Sequence, residues 1–312
     1  MIQVVLHPRH DPGVEAVLEA ISGIELVRPT DDQGVVAALA AGGEVLVTYT
    51  WQREFLSPSL RWIAGTGVGF DQYPLAELAD GDVALTTAYG IHSGCVAEHA
   101  FGLLMACTRA IGESARNQSR GVWRPIIGEE VSGRRMLIVG LGQIGEAIAR
   151  RAVGWEMEIV GIKRSPERYD GILSDVRSPE ALQEMCAWAE ILVLSIPAGS
   201  ETKHLIGAKE LDLLGSGWVV NVARGSVIDE KALLERLQDG RLRGAGLDVF
   251  ESEPLPHDSP LWTLPNVVMT AHNAASSPRF GSRWGDIFRA NLSALSSGGT
   301  WRNRLGQDGR FV

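Results

Sequence analysis

The sequence predicts an α/β protein built from two doubly wound parallel-sheet domains. Three observations carry that expectation. The chain has 312 residues, and at roughly 100 to 200 residues per domain that length suits two compact units. Short β-branched runs alternate with helical patterns along most of it, the mark of a parallel sheet covered on both faces. One of those runs passes through a glycine-rich turn, Gly140 to Gly145, straight into a helical pattern.

In chain order, the first series reads as strands at 2–6, 44–48, 61–64 and 83–86, with helices at 14–20 and 34–41. A long helical segment follows at about 94–117 and is expected to be the hinge between domains. Polar residues at 118–135 lead into a second series, with strands at 136–140, 158–162, 191–195, 218–222, 246–249 and 267–270. Six buried runs separated by helix or loop describe a doubly wound sheet. Asp229 stands where it can cap a helix at 230–238, and Gly240 punctuates that helix's end. A last helix at about 278–294 precedes no further strand, so it is expected to pack back on the first domain. The expected domains are 1–92 with 278–312, and 93–277.

Composition narrows the function classes. Hydrophobic residues make up 45% and charged residues 21%, which is ordinary globular usage and excludes disordered or coiled-coil readings. A net charge of −9 offers no general attraction to phosphate backbones or anionic lipid, so neither nucleic acid nor a membrane is an expected partner. The longest apolar stretch, around 100–107, stops at Arg109, short of the roughly 20 residues a spanning helix needs. Residues 1–10 lack a basic leader and a small-residue cleavage site, so no export signal is expected. Cys95, Cys107 and Cys186 are too few for a disulfide framework, and no CxxC or Cys/His spacing suggests a metal. A cytoplasmic protein without a metal site is the expectation.

The sharpest motif is Gly140-Leu141-Gly142-Gln143-Ile144-Gly145, after an apolar strand and before a helical run. In that context Gly140 permits the tight turn, Gly142 lets the backbone approach a pyrophosphate, and Gly145 lets helix and sheet pack closely. Free N–H groups and the positive dipole end near Gln143 and Ile144 attract phosphate. These are the features of a Rossmann dinucleotide-binding turn. An NAD site expects an acid about 20 residues on, for the adenosine ribose. Here the chain has Lys163, Arg164 and Ser165. A carboxylate repels a 2'-phosphate, whereas two cations and a hydroxyl hold one; a charge pair 4 Å apart is worth roughly 4 kcal/mol at an effective dielectric of about 20, before desolvation. NADP(H) is therefore expected over NAD(H), with NAD(H) still possible. The plainer reading leaves Lys163 and Arg164 as solvated surface charges.

Ligands of such sheets bind beyond the carboxyl ends of the strands. The polar residues there are Arg224 after the run 218–222, Asp248 to Glu253 after 246–247, and His272 after 267–270. At this point the chain resembles the D-isomer-specific 2-hydroxyacid dehydrogenase family, which includes glyoxylate/hydroxypyruvate reductases. The resemblance rests on Val96-Ala97-Glu98-His99, the Gly140 to Gly145 turn, Asn221-Val222-Ala223-Arg224-Gly225, Asp248-Val249-Phe250 with Glu253-Pro254, and Leu264-Pro265-Asn266-Val267 running to His272-Asn273.

The resemblance implies a flavodoxin-like substrate domain, a Rossmann domain and an active-site cleft between them. It implies reduction of small 2-oxo acids to D-2-hydroxy acids, with a homodimer as the assembly. Glu253 beside His272 would favour the imidazolium and fix its ring, making His272 the acid in reduction and the base in oxidation. Arg224 offers a planar fork for the substrate carboxylate and carbonyl. Asp248 would orient the nicotinamide carboxamide or support the site from behind. Ser195, Pro197 and Ala223 join the expected cofactor contacts. In Gly65-Thr66-Gly67-Val68-Gly69-Phe70-Asp71, Val68 and Gly69 match the positions whose backbone N–H groups take the substrate carboxylate, although a plain turn would look the same. His99, in its helical run, is expected to serve packing and capping. The sequence departs from the family pattern at Tyr89 and Ala271, where Pro is common, and at Ser195, where His or Cys is frequent. A cofactor-sensing interaction protein on the same fold is the competing reading; formate dehydrogenase is disfavoured because Glu253 stands where that enzyme pairs Gln with His.

Overall fold

The computed structural model describes residues 1–70 and 72–312; Asp71, which closes the glycine-containing stretch above, lies outside them. The chain forms two compact units, Met1–His92 with Ser277–Val312, and Ser93–Ser276.

The first unit runs β1 (Ile2–Leu6), α1 (Pro12–Glu19), β2 (Ile24–Val27), α2 (Asp32–Ala40), β3 (Val45–Thr48), β4 (Trp62–Gly65), α3 (Leu75–Asp80) and β5 (Ala84–Thr86), and is completed by the helix Phe280–Ser297. Its five strands are parallel in the order β2-β1-β3-β4-β5, the flavodoxin-like arrangement. Side chains alternate across the sheet. Val4, Leu6, Val47, Trp62 and Ala64 meet Val14 and Leu18 of α1 and Trp284 and Phe288 of the last helix. Val5, Leu46, Ile63 and Leu85 meet Val35 and Leu39 of α2 and Leu78 of α3. Both faces are buried, so these strands read as nearly continuous apolar runs instead of alternating ones. Asp11 and Asp31 start α1 and α2 by accepting from the N–H groups of Gly13 and Gly34.

The second unit runs α4 (Ser93–Thr108), α5 (Ile111–Ser119), β6 (Arg135–Val139), α6 (Gln143–Val153), β7 (Glu158–Ile162), β8 (Val176–Arg177), α7 (Leu182–Trp188), β9 (Ile191–Leu194), α8 (Ala208–Leu214), β10 (Trp218–Asn221), α9 (Glu230–Gln238), β11 (Gly244–Leu247) and β12 (Val267–Met269). The seven strands are ordered β12-β11-β10-β9-β6-β7-β8. Met136, Ile138, Val193 and Val220 face α4 and α6, while Leu137, Val139, Leu192, Leu194 and Val219 face α7, α8 and α9. The strand order reverses between β6 and β9, which places a topological switch point there. Asp229 caps α9 as expected, its carboxylate accepting from Ala232 N at 3.0 Å.

The structure corrects the sequence reading in three places. The long helix expected at 94–117 is two helices, broken at Ala110, whose φ is +54°. The backbone at Gly128 and Glu129 crosses the end of α4, and Glu129 N takes the Thr108 carbonyl at 2.7 Å, so α4 cannot continue through that bond. The second sheet has seven strands, not six, because β8 is a two-residue edge strand with no apolar run to betray it. The edge strand β2 and the six-residue helix α3 also lie outside the predicted elements.

Candidate active site

The glycine turn sits at the switch point, between the ends of β6 and β9. Gly140 has φ +102°, a conformation that β-carbon-bearing residues rarely adopt. A Cβ on Gly145 would lie 1.9 Å from the Gly140 carbonyl oxygen, so that residue has no room for a side chain. Ser195, after β9, donates its hydroxyl to the same carbonyl at 2.7 Å and braces the turn from the neighbouring strand. Gly142 is exposed, and a Cβ there would meet nothing within 4 Å. The first-turn N–H groups of α6, from Gln143 to Gly145, have no carbonyl a turn earlier to bond. A backbone that must be bare, beside open space and free N–H groups, fits a pyrophosphate. Pro197 is exposed and its carbonyl accepts from Thr202.

Beyond β7 the two expected cations part company. Lys163 Nζ donates to the Leu141 carbonyl at 2.9 Å, so its charge is committed to the glycine turn itself. Arg164 is exposed, and no ion pair or hydrogen bond holds its guanidinium among the described residues. Ser165 begins the short turn Pro166–Arg168. Further on, Tyr169 donates its hydroxyl to Glu146 of α6 at 2.5 Å. Burial, and that neighbouring carboxylate, push the Tyr169 phenol up.

The three adjacent strands β10, β11 and β12 carry the residues expected to react. Their register sets Asn221 beside Leu247 and Leu247 beside Met269, so Arg224, Asp248 and His272 all lie within three residues of one sheet edge. Asn221 shapes the first turn, its amide donating to the Arg224 carbonyl at 3.1 Å and accepting from Ala223 N at 3.0 Å. Arg224 Nη1 touches only the Ala223 carbonyl, at 2.7 Å, and no carboxylate pairs with it among the described residues. The next residue, Gly225, packs against the loop that carries Glu253: a Cβ on it would lie 1.8 Å from the Phe250 carbonyl carbon.

His272 Nδ1 and Glu253 Oε2 lie 2.7 Å apart. The other Glu253 oxygen accepts from Phe250 N at 3.0 Å, which fixes the carboxylate from its own loop. The imidazole is half exposed, and its Nε2 makes no hydrogen bond among the described residues. His272 has φ +50°, a left-handed backbone of the kind that concentrates at functional sites.

Asp248 is buried behind this loop. Oδ1 accepts from Thr270 Oγ1 at 2.6 Å and Asn273 N at 3.0 Å, and Oδ2 accepts from Ala274 N at 3.0 Å. These contacts tie Asp248 to the loop that carries His272. His99 does more than pack: its Nε2 lies 2.7 Å from Thr270 Oγ1 and 3.4 Å from Asp248 Oδ1. Since the Thr270 proton goes to Asp248, Thr270 accepts from His99. Thr270 and Tyr169 had no role in the sequence reading, and Asn221 entered it only as part of a motif; Thr270 was open to that reading, being a polar residue at the end of an apolar run.

In the first unit, the loop after β4 presents Val68 exposed and Gly69 with open space where a Cβ would sit. Ala88 N donates to the Gly67 carbonyl at 2.8 Å, and a Cβ on Gly67 would press on the Tyr49 ring at 2.3 Å.

Residues 101–274 match the family described as D-isomer specific 2-hydroxyacid dehydrogenase, NAD binding domain. The chain belongs to the D-isomer-specific 2-hydroxyacid dehydrogenase family. Within it, the glyoxylate reductase of Korarchaeum cryptofilum (strain OPF8) is 36% identical over 262 residues, 81% of this chain and 78% of that one. The crystal structure of the NADPH-dependent glyoxylate/hydroxypyruvate reductase of Sinorhizobium meliloti with citrate matches with a TM-score of 0.84 at 28% identity, covering 98% of each chain. The complex of that reductase with NADP and malonate matches with a TM-score of 0.82 at 28% identity, over 100% of this chain and 98% of that one. This 2-hydroxyacid dehydrogenase is an oxidoreductase with a domain for a nicotinamide dinucleotide. No described helix is long and apolar enough to cross a membrane.

Proposed function

We propose that this dehydrogenase reduces small 2-oxo acids of the glyoxylate or hydroxypyruvate type to D-2-hydroxy acids and prefers NADPH to NADH. The observation that carries the reading is the His272–Glu253 pair at 2.7 Å, with Nε2 unengaged and Arg224, on the same sheet edge, paired with no carboxylate among the described residues. The chemistry a dinucleotide brings to such a site is hydride donation to the keto carbon. His272 Nε2 gives the keto oxygen its proton, and Glu253 holds Nδ1–H throughout, so the ring keeps one orientation as its charge changes. Arg224 holds the substrate carboxylate and polarises the carbonyl. In the first unit, Val68, exposed, and Gly69, with open space where a Cβ would sit, are assigned to substrate binding through their backbone N–H groups, as the resemblance implies.

Gly140, Gly142, Gln143, Ile144 and Gly145 take the pyrophosphate, while Ser195, Pro197, Ala223 and Asp248 shape the cofactor site. NADPH preference falls to Arg164 with Ser165, since Lys163 is spent on Leu141. The NADPH dependence of the Sinorhizobium meliloti reductase supports the same choice. Val122, Trp123 and Ile127 are exposed apolar residues of one segment, Trp123 by 97% and Ile127 by 100%, and we assign them to the contact of a homodimer, which light scattering tests. The free thiols of Cys107, partly buried, and Cys186, buried, suit a reducing cytoplasm.

The test is NADPH and NADH oxidation with glyoxylate, hydroxypyruvate, pyruvate and phenylpyruvate, on the parent and on His272→Gln and Arg224→Gln. Both variants are expected to lose most turnover and keep dinucleotide affinity. Absence of turnover with every oxo acid despite tight NADPH binding would replace the reading with a cofactor-sensing protein.

A further inference from the structure

We propose that the Tyr169–Glu146 hydrogen bond is a latch that positions the residues after β7 for NADPH, making Tyr169 a determinant of cofactor choice although it contacts no cofactor. The inference rests on the NADPH reading above.

Cofactor selection in a Rossmann unit is made where the second strand ends, beside the adenosine ribose. In this chain that place is Lys163 to Ser165, and Arg164 is the cation of the two that has no partner among the described residues. A guanidinium discriminates a phosphate well only if its fork is held in place before the ligand arrives, because ordering it on binding costs side-chain and loop entropy. Arg164 is followed by the turn Pro166–Arg168, which is closed at its far end by Tyr169 N donating to the Pro166 carbonyl at 3.0 Å.

The closed turn is then tied to the helix whose N-terminus faces the pyrophosphate. Glu146 lies in the first turns of α6 and receives Tyr169 Oη at 2.5 Å, Ile172 N at 3.4 Å and Arg150 Nη2 at 2.8 Å. The phenol oxygen in turn accepts from Leu173 N at 3.2 Å. Gly171 crosses directly over this knot: a Cβ there would lie 2.3 Å from the Tyr169 hydroxyl and 2.4 Å from Glu146 Oε2. At the near end, Lys163 Nζ on the Leu141 carbonyl ties the same segment to the glycine turn. The segment that carries Arg164 is therefore fastened at both ends to the glycine-turn helix unit, and Tyr169 is the distal fastening. NADH needs no cation from this segment, so loosening it acts on one cofactor and spares the other.

The test compares KM and kcat for NADPH and NADH in the parent, Tyr169→Phe, Gly171→Ala and Arg164→Ala, at saturating oxo acid. Tyr169→Phe keeps the ring and removes only the hydroxyl. It is expected to raise KM for NADPH about tenfold, the equivalent of one hydrogen bond to a charged group, with KM for NADH and both kcat values within about twofold. Gly171→Ala, which forces the phenol and carboxylate apart, is expected to shift selectivity the same way. A general packing defect would raise both KM values together, and that outcome overturns the latch. If Arg164→Ala loses NADPH selectivity while Tyr169→Phe and Gly171→Ala keep the parental ratio, the latch is wrong and the NADPH reading stands. If the parent shows no NADPH preference and Arg164→Ala changes nothing, both fall.

Discussion

Replacing Asp248 with Asn separates a structural carboxylate from a cofactor ligand. The carboxylate accepts three hydrogen bonds, from Thr270 Oγ1 at 2.6 Å and from Asn273 N and Ala274 N at 3.0 Å each. Hydrogen bonds to a charged group contribute about 1.5–3 kcal/mol each. An amide of the same shape keeps its oxygen toward Thr270 and Asn273, now as weaker neutral bonds, and turns an NH2 against Ala274 N–H, donor facing donor. Losing one charged bond and weakening two amounts to about 3 kcal/mol. For a unit of this size, about 2–4 °C of melting temperature accompany each kcal/mol, so Asp248→Asn is expected to melt about 6–12 °C below the parent in a calorimetric or circular-dichroism scan. The three donors belong to the loop of His272, so turnover falls too, by about a hundredfold if the imidazole moves by an ångström. Thr270→Val is the control. It removes one donor but leaves His99 Nε2 and Asp248 Oδ1, 3.4 Å apart, free to close on each other, and costs about 1 kcal/mol. If Asp248→Asn melted with the parent and only raised KM for the dinucleotide, Asp248 would be a cofactor ligand and the loop argument would fail.

Other consequences are equally direct. Gly145→Ala places a Cβ on a backbone carbonyl 1.9 Å away, so either α6 or the glycine turn must move; dinucleotide binding, measured by fluorescence titration, is expected to fall beyond detection while a folded protein persists. Asp212 accepts a two-pronged bond from buried Arg236, at 2.8 Å on each oxygen, and that bond together with the charges of Arg236 and Arg241 holds its carboxyl below the usual range despite opposing desolvation. Its stabilisation is thus present above the unfolded carboxyl pKa of about 3.9 and lost as pH falls through the lower folded value, so Asp212→Asn should destabilise at neutral pH and converge on the parent in acid unfolding curves. Burial pushes the Cys107 and Cys186 thiols up to about 12, hence neither should react with iodoacetamide at pH 8 until the protein unfolds; prompt labelling of either in the native state would contradict the packing described.

What the sequence disclosed, and what it did not, follows from how far each signal reaches along the chain. Apolar runs of four or five residues announced the strands because both sheet faces are covered, and β2 and β8 escaped because edge strands have less to bury. The turn at Gly140 to Gly145 and the pairing of His272 with Glu253 were legible because a bare backbone turn and a carboxylate–imidazole pair each demand particular residue types at fixed order. The break between α4 and α5 was not, since nothing between 94 and 117 forbids a helix; the carbonyl of Thr108 is taken by a residue 21 positions later. The same limit governs the cations. Lys163 and Arg164 are neighbours in sequence and indistinguishable there as phosphate ligands, yet adjacent residues leaving a strand point to opposite faces. One therefore turns onto the glycine turn and meets the Leu141 carbonyl, while the other meets solvent. The assignment is sharp enough to measure: Arg164→Ala should remove NADPH selectivity with little loss of NADH use, whereas Lys163→Ala should weaken both cofactors by disturbing the turn proposed to take their shared pyrophosphate. Equal and selective losses from the two substitutions would mean that Lys163 leaves Leu141 for the phosphate when cofactor arrives, and the division of labour drawn from its hydrogen bond would be wrong.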